Sequence, residues 1–248
     1  MELTLALVAA GLLSWGIAWM TRCRPVTPQI LNPPSSGRRA LLATGIACVA
    51  TTALIPVLRP VVTRHESVQQ MGFADIGFVT LLGTPVLAIW LVIPAFFMFR
   101  YKEPLASAGV GTHNLWQAVV LGLVLSVLCC GTLVWKNLEE VTARHLLLLV
   151  PNFQTALGEE FFFRGYLQNR LMAWVGKFRG WLAASVIMVL FHLPTLFFIR
   201  DFGFQDAAAW CSVHLAVSLL MGWLMWRTGN IAAPVLLHMF ANWINVLR

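Results

Sequence analysis

Six polar residues in the last two fifths of a very apolar chain have the types and spacing to do chemistry: Glu159, Glu160, Arg164, His192, His238 and Asn242. The first three lie in Gly158-Glu159-Glu160-Phe161-Phe162-Phe163-Arg164-Gly165-Tyr166, two adjacent carboxylates among aromatics with an arginine following. On a helix Glu160 and Arg164 stand at i and i+4 on one face and can form an ion pair, while Glu159 projects about 100° away. Glu160 is then structural, and Glu159 is free to take a proton from water. The other reading is a buried structural triad in which both carboxylates pair with Arg164, since ionic networks also occur without catalysis.

His192 follows on the next apolar run, in Ser185-Val186-Ile187-Met188-Val189-Leu190-Phe191-His192-Leu193-Pro194, and His238 and Asn242 stand one turn apart on the last. Three segments thus supply inward polar groups: a carboxylate, a histidine, and a histidine with an asparagine. Ionisable groups inside membrane segments are costly and are functional candidates by default, and this set suits a site that activates water or holds a metal. His214 has no second partner at helical spacing and reads as structural, while His65, His113 and His145 fall in or beside loops and read as surface residues. A serine hydrolase is disfavoured because no G-x-S-x-G occurs.

The elements that must carry these residues follow from composition. Of 248 residues 59% are hydrophobic and 11% charged, with a mean hydropathy of +0.77, against about 25% charged in soluble domains. A soluble core cannot absorb that much apolar surface, whereas a bilayer takes roughly 20 apolar residues per helical span. Apolar segments at about 3–20, 40–58, 74–99, 114–135, 146–175, 181–199, 208–226 and 231–247 predict an all-α fold, a polytopic membrane bundle of about eight helices with the site in the bundle core. The spaces between have turn chemistry, as in Asn32-Pro33-Pro34-Ser35-Ser36-Gly37 and Arg227-Thr228-Gly229-Asn230. No loop could hold a soluble domain, so residues 1–248 read as one membrane domain.

The first run carries Glu2 and no basic n-region, and reads as a retained anchor rather than a signal peptide. Lys and Arg number nine on one set of alternate loops and six on the other, counting Arg248, which places both termini outside the cytoplasm. The excess of 17 Lys and Arg over 10 Asp and Glu is scattered at the ends of apolar runs, so nucleic acid is not an expected partner. Five cysteines without a C-x-x-C read as packing residues.

Taken in order, Glu159-Glu160-x-x-x-Arg164, His192 and His238-x-x-x-Asn242, with the Arg227-Thr228-Gly229-Asn230-Ile231 lead-in, resemble the CAAX-prenyl-protease and bacteriocin-processing (CPBP, or Abi) family of intramembrane endopeptidases, over roughly residues 146–246. One departure is that the family's second motif is usually F-x-x-x-H, and here Met188 stands four before His192, a change expected to bear on substrate fit. The resemblance implies that Glu159 with His192 activates the attacking water. It also implies that His238 and Asn242 polarise the scissile carbonyl and stabilise the oxyanion, and that Arg164 holds Glu160.

The function so implied is hydrolysis of a peptide bond in a membrane-anchored peptide or protein tail, in a multi-pass protein of the bilayer, expected in a bacterial inner membrane. No cofactor is expected. Zinc is the alternative, with Glu159, His192 and His238 as three ligands and an open fourth position; Asn242 beside His238 favours the oxyanion role. A second reading is a non-catalytic membrane scaffold or bacteriocin-immunity protein of the same fold. A third, a proton-relay transporter, is disfavoured because no internal repeat is apparent. Oligomeric state has no signal in the sequence.

Overall fold

The computed structural model describes residues 30, 32–64, 73–136, 139 and 141–245, which form helices and, among the described residues, no strands. The expected first segment, 3–20, lies outside them, as does His65. In chain order the helices are α1 (Pro33–Ala53), α2 (Ile55–Arg64), α3 (Phe73–Arg100), α4 (Leu115–Lys136), α5 (Ala143–Leu147), α6 (Leu149–Glu159), a π-helix (Glu160–Gln168), α7 (Asn169–Val175), α8 (Lys177–Phe191), α9 (Leu193–Phe198), α10 (Phe204–Thr228) and α11 (Ala232–Ile244). A short 3₁₀ turn, Leu105–Ala108, follows α3.

Three of these helices are long and apolar enough to cross a membrane, Phe73–Arg100, the α8–α9 pair as Lys177–Phe198, and Phe204–Thr228; Leu115–Gly131 and Ala232–Ile244 are shorter apolar helices. Outward-facing Phe96, Phe99, Trp116, Trp135, Phe178 and Phe204 are 61–88% exposed, which suits lipid and not water. Trp116 and Trp135 sit near the two ends of α4. At 1.5 Å per residue they are about 29 Å apart along the axis, the spacing of two interfacial tryptophan belts. This is an integral membrane protein with an all-α bundle.

Several boundaries differ from the sequence reading. The Pro33-to-Gly37 stretch is not a turn but the start of α1, because proline tolerates the first helical turn and needs no N–H there. The expected 40–58 run is interrupted at Leu54, between α1 and α2. The 181–199 run breaks at His192, where a local turn separates α8 from α9 and Pro194 stands in the first turn of the new helix. The 146–175 run is broken most: Glu160–Gln168 takes i→i+5 geometry, which is rare and tends to mark functional positions.

The core gathers around this π-helix. Phe161, Phe162, Phe163, Tyr166 and Leu167 are buried with Trp90 of α3, Ala184 and Phe191 of α8, Met225 of α10 and Val235 of α11. A second buried network ties α1 and the 3₁₀ turn to it. Glu103 accepts from Arg170 Nε and Nη2 on one oxygen, Oε2, and from Ser36 on the other (2.8 Å); Arg170 further reaches Ser107 Oγ (3.2 Å), and Asn169 donates to the Ser107 carbonyl (3.0 Å). Glycines let the backbones close. A Cβ on Gly165 would lie 2.5 Å from the Ala108 carbonyl oxygen, a backbone atom that cannot swing aside. Gly165→Ala is therefore expected to destabilise by about 1–3 kcal/mol, read as an earlier thermal unfolding transition in detergent; an unchanged transition would mean the 3₁₀ turn is not held where it is described.

Candidate active site

Glu159 is the last residue of α6 and Glu160 the first of the π-helix. Both are withdrawn from lipid, with relative exposures of 5% and 0%, and Arg164 is at 2%. Charges so placed must be paired to be tolerated, and the pairs are visible.

Arg164 Nε lies 3.2 Å from Glu160 Oε2, an ion pair whose N–H is not aligned for a hydrogen bond. The guanidinium also donates to Ser218 Oγ (3.2 Å) and the Ser218 carbonyl (3.4 Å) on α10, and to Met188 Sδ (2.9 Å) on α8. Glu160 has a second partner. Its Oε1 accepts from His238 Nδ1 at 2.7 Å. So Glu160 is paired with Arg164 as expected, and in addition fixes the imidazole of α11.

Glu159 is not free in the sense read from spacing. Its two oxygens each face a histidine: Oε1 lies 3.7 Å from His192 Nε2, and Oε2 lies 3.8 Å from His238 Nε2. These separations are too long for a direct hydrogen bond and short enough for one water to touch both groups. The buried triad with Arg164 is not what forms, since Arg164 turns to Glu160, Ser218 and Met188.

Both imidazoles are oriented from behind. His192 Nδ1 lies 2.8 Å from the Met188 carbonyl, which can only accept, so Nδ1 carries the proton and donates. His238 Nδ1 donates to the Glu160 carboxylate in the same manner. The Nε2 atoms are thereby the ones turned toward Glu159. Asn242 is half-buried one turn beyond His238 on α11.

Met188 has a different position from the one expected of it. Its thioether packs against Arg164 and Ser218, and its carbonyl holds His192, so it supports the site. Phe191 fills the aromatic place, edge-on to Phe163 at 5.1 Å and to Trp90 at 6.5 Å. Trp210 of α10 was not foreseen: its ring is 5.4 Å from His192 and stacks on His214 at 3.4 Å, with His214 Nδ1 donating to the Trp210 carbonyl. His214 is therefore held structurally, as read. His113 is exposed, but His145 is buried, its ring capping α5 through the Thr142 N–H and its carbonyl accepting from Trp243. Sequence neighbours could not show that Trp243, nearly a hundred residues on, covers it.

Among the described residues no group of three or more His, Cys, Asp and Glu side chains is set to hold a metal ion. Glu159, His192 and His238 are the nearest to one, facing each other through the two long approaches given above. A carboxylate facing two oriented imidazoles can hold a water and take its proton.

No curated protein and no solved structure matches the chain. Residues 141–244, which hold all six polar residues and their α8 and α10 supports, match the family described as type II CAAX prenyl endopeptidase Rce1-like, in agreement with the resemblance those residues carry.

Proposed function

We propose that the protein is an intramembrane endopeptidase that hydrolyses a peptide bond in a membrane-anchored peptide or protein tail, with Glu159 and His192 activating water and His238 and Asn242 stabilising the oxyanion. The observation that carries this reading is the placement of the Glu159 carboxylate between two Nε2 atoms at 3.7 and 3.8 Å, each ring being locked from its far nitrogen.

A water between Glu159 Oε1 and His192 Nε2 donates one hydrogen to each. As its oxygen attacks the scissile carbonyl, the proton passes to Glu159, and the same carboxyl returns it to the leaving amine. His238 donates to Glu160 from Nδ1, so its Nε2 can donate to the oxyanion only when the ring holds both protons; the two carboxylates flanking it suit that form. Asn242 supplies the second donor from the same helix face. Glu160 and Arg164 act through His238 and are positioning residues. No step passes through a metal. The alternative, zinc held by Glu159, His192 and His238, is favoured by the inward Nε2 atoms and is separated by adding a chelator.

The substrate reading is a C-terminal tail anchored by a lipid, prenyl or other, and a bacterial inner membrane is the proposed location. A non-catalytic scaffold would keep the fold without needing Glu159. A panel of lipidated fluorogenic peptides, offered to the full chain in lipid nanodiscs, tests the assignment. Asn242→Ala is expected to lower kcat by about 10²–10³-fold with little change in KM. A variant with parental kcat would remove Asn242 from the oxyanion role.

A further inference from the structure

Two polar atoms near the site have no place in this mechanism. Trp90 Nε1 on α3 and Gln154 Oε1 on α6 are both buried, and neither has a hydrogen-bond partner among the described residues. An indole N–H and an amide oxygen withdrawn from water are costly to leave unpaired, and inside a bilayer no solvent is at hand to relieve them.

Their positions are tied to the catalytic groups. Trp90 is 7% exposed. Its ring lies over Gly158, where a Cβ would come within 2.9 Å of Cε3, and it meets Phe191 edge-on at 6.5 Å. The indole is thus wedged between the residue before Glu159 and the residue before His192. Gln154 stands one helical turn before Gly158, and its Oε1 faces Gly83 of α3, where even an added Cβ would still be 3.9 Å away. The seam between α3 and α6 therefore holds one unmatched donor and one unmatched acceptor, beside the turn of α6 that leads into Glu159.

A peptide main chain supplies the complement, a carbonyl oxygen and an N–H, at every residue. Recognition through the main chain gives affinity that is independent of side-chain identity. We propose that Trp90 Nε1 and Gln154 Oε1 form a main-chain subsite for the substrate: the indole N–H donates to a peptide carbonyl, and Gln154 accepts a peptide N–H, beside the scissile bond. The subsite rests on the protease reading for its ligand, a peptide, and adds the groups that align it.

The test uses the full chain in nanodiscs and a fluorogenic peptide ending in a farnesylcysteine and three apolar residues. Trp90→Phe keeps a ring over Gly158 and removes the donor; Gln154→Met keeps the length and removes the acceptor. Each is expected to raise KM about fivefold to tenfold, with kcat changed less than twofold. Peptides carrying an ester in place of one amide lose an N–H. At one position the ester weakens the parent's affinity and leaves Gln154→Met no weaker than with the all-amide peptide. Binding of the same probe is also measured with Glu159→Gln added, which needs no hydrolysis. Parental KM and Kd in both variants would overturn the subsite while leaving the protease reading intact. A parent that binds the probe in a Trp90- and Gln154-dependent manner without cleaving any peptide would keep the subsite and remove the hydrolysis.

Discussion

Glu159→Gln is expected to lower kcat for a lipidated peptide by about 10²–10⁴-fold, the range that a positioned general base contributes, while leaving peptide affinity within about twofold. The substitution keeps the shape of the side chain and removes its ability to take a proton. Because the Glu159 oxygens stand 3.7 and 3.8 Å from the two Nε2 atoms, the amide disturbs no direct hydrogen bond. Folding is therefore not the expected cause of the loss, and the thermal transition should stay near that of the parent. His192→Ala removes the second acceptor for the water and is expected to fall in the same range. The two losses should be far from additive, since both groups hold one water. Cleavage at the parental rate by Glu159→Gln would exclude the carboxylate as the base.

Arg164→Met is the change expected to cost most in stability. Its guanidinium has three supports on three elements: Glu160 at 3.2 Å, Ser218 at 3.2 and 3.4 Å, and the Met188 thioether at 2.9 Å. Removing it leaves the fully buried Glu160 carboxylate with His238 as its remaining partner. Breaking a buried pair from one side costs about 3–5 kcal/mol, which for a chain of this size is a fall of about 6–20 °C in the thermal transition. The double change Glu160→Gln with Arg164→Met removes both charges, and is expected to recover much of that loss because the two sites are coupled. Activity should stay low in the double variant, since a glutamine holds the His238 ring less firmly than a carboxylate. A single variant as stable as the parent would show that Arg164 is not what keeps Glu160 in place.

The candidate site residues were legible because each motif is local. Glu159, Glu160 and Arg164 fall within six residues and His238 and Asn242 within five, so helical geometry alone placed partners on shared faces. The membrane bundle was legible from composition, and most segments from apolar runs with charged ends. What could not be read arises from contacts between distant parts of the chain. Ser218 looks like an ordinary residue of an apolar helix until Arg164 reaches it. Glu103, in a short loop, looks exposed until Arg170 and Ser36 close over it. The pairing of Glu160 with His238 spans 78 positions. The π-helix has no sequence signal of its own, since Glu160 and Arg164 at i and i+4 read equally well on an ordinary α-helix. The boundary between α6 and the π-helix falls between Glu159, which faces two histidines, and Glu160, which pairs with an arginine and a histidine.

Glu159 is proposed to activate water for peptide hydrolysis without a metal. The direct measurement is release of the terminal peptide from a farnesylated substrate by the parent in nanodiscs, followed by mass spectrometry with and without a zinc chelator, beside Glu159→Gln. The expected result is release at one bond by the parent, unchanged by chelator, and none by the variant. Release that chelator abolishes and added zinc restores would contradict it and make Glu159, His192 and His238 metal ligands.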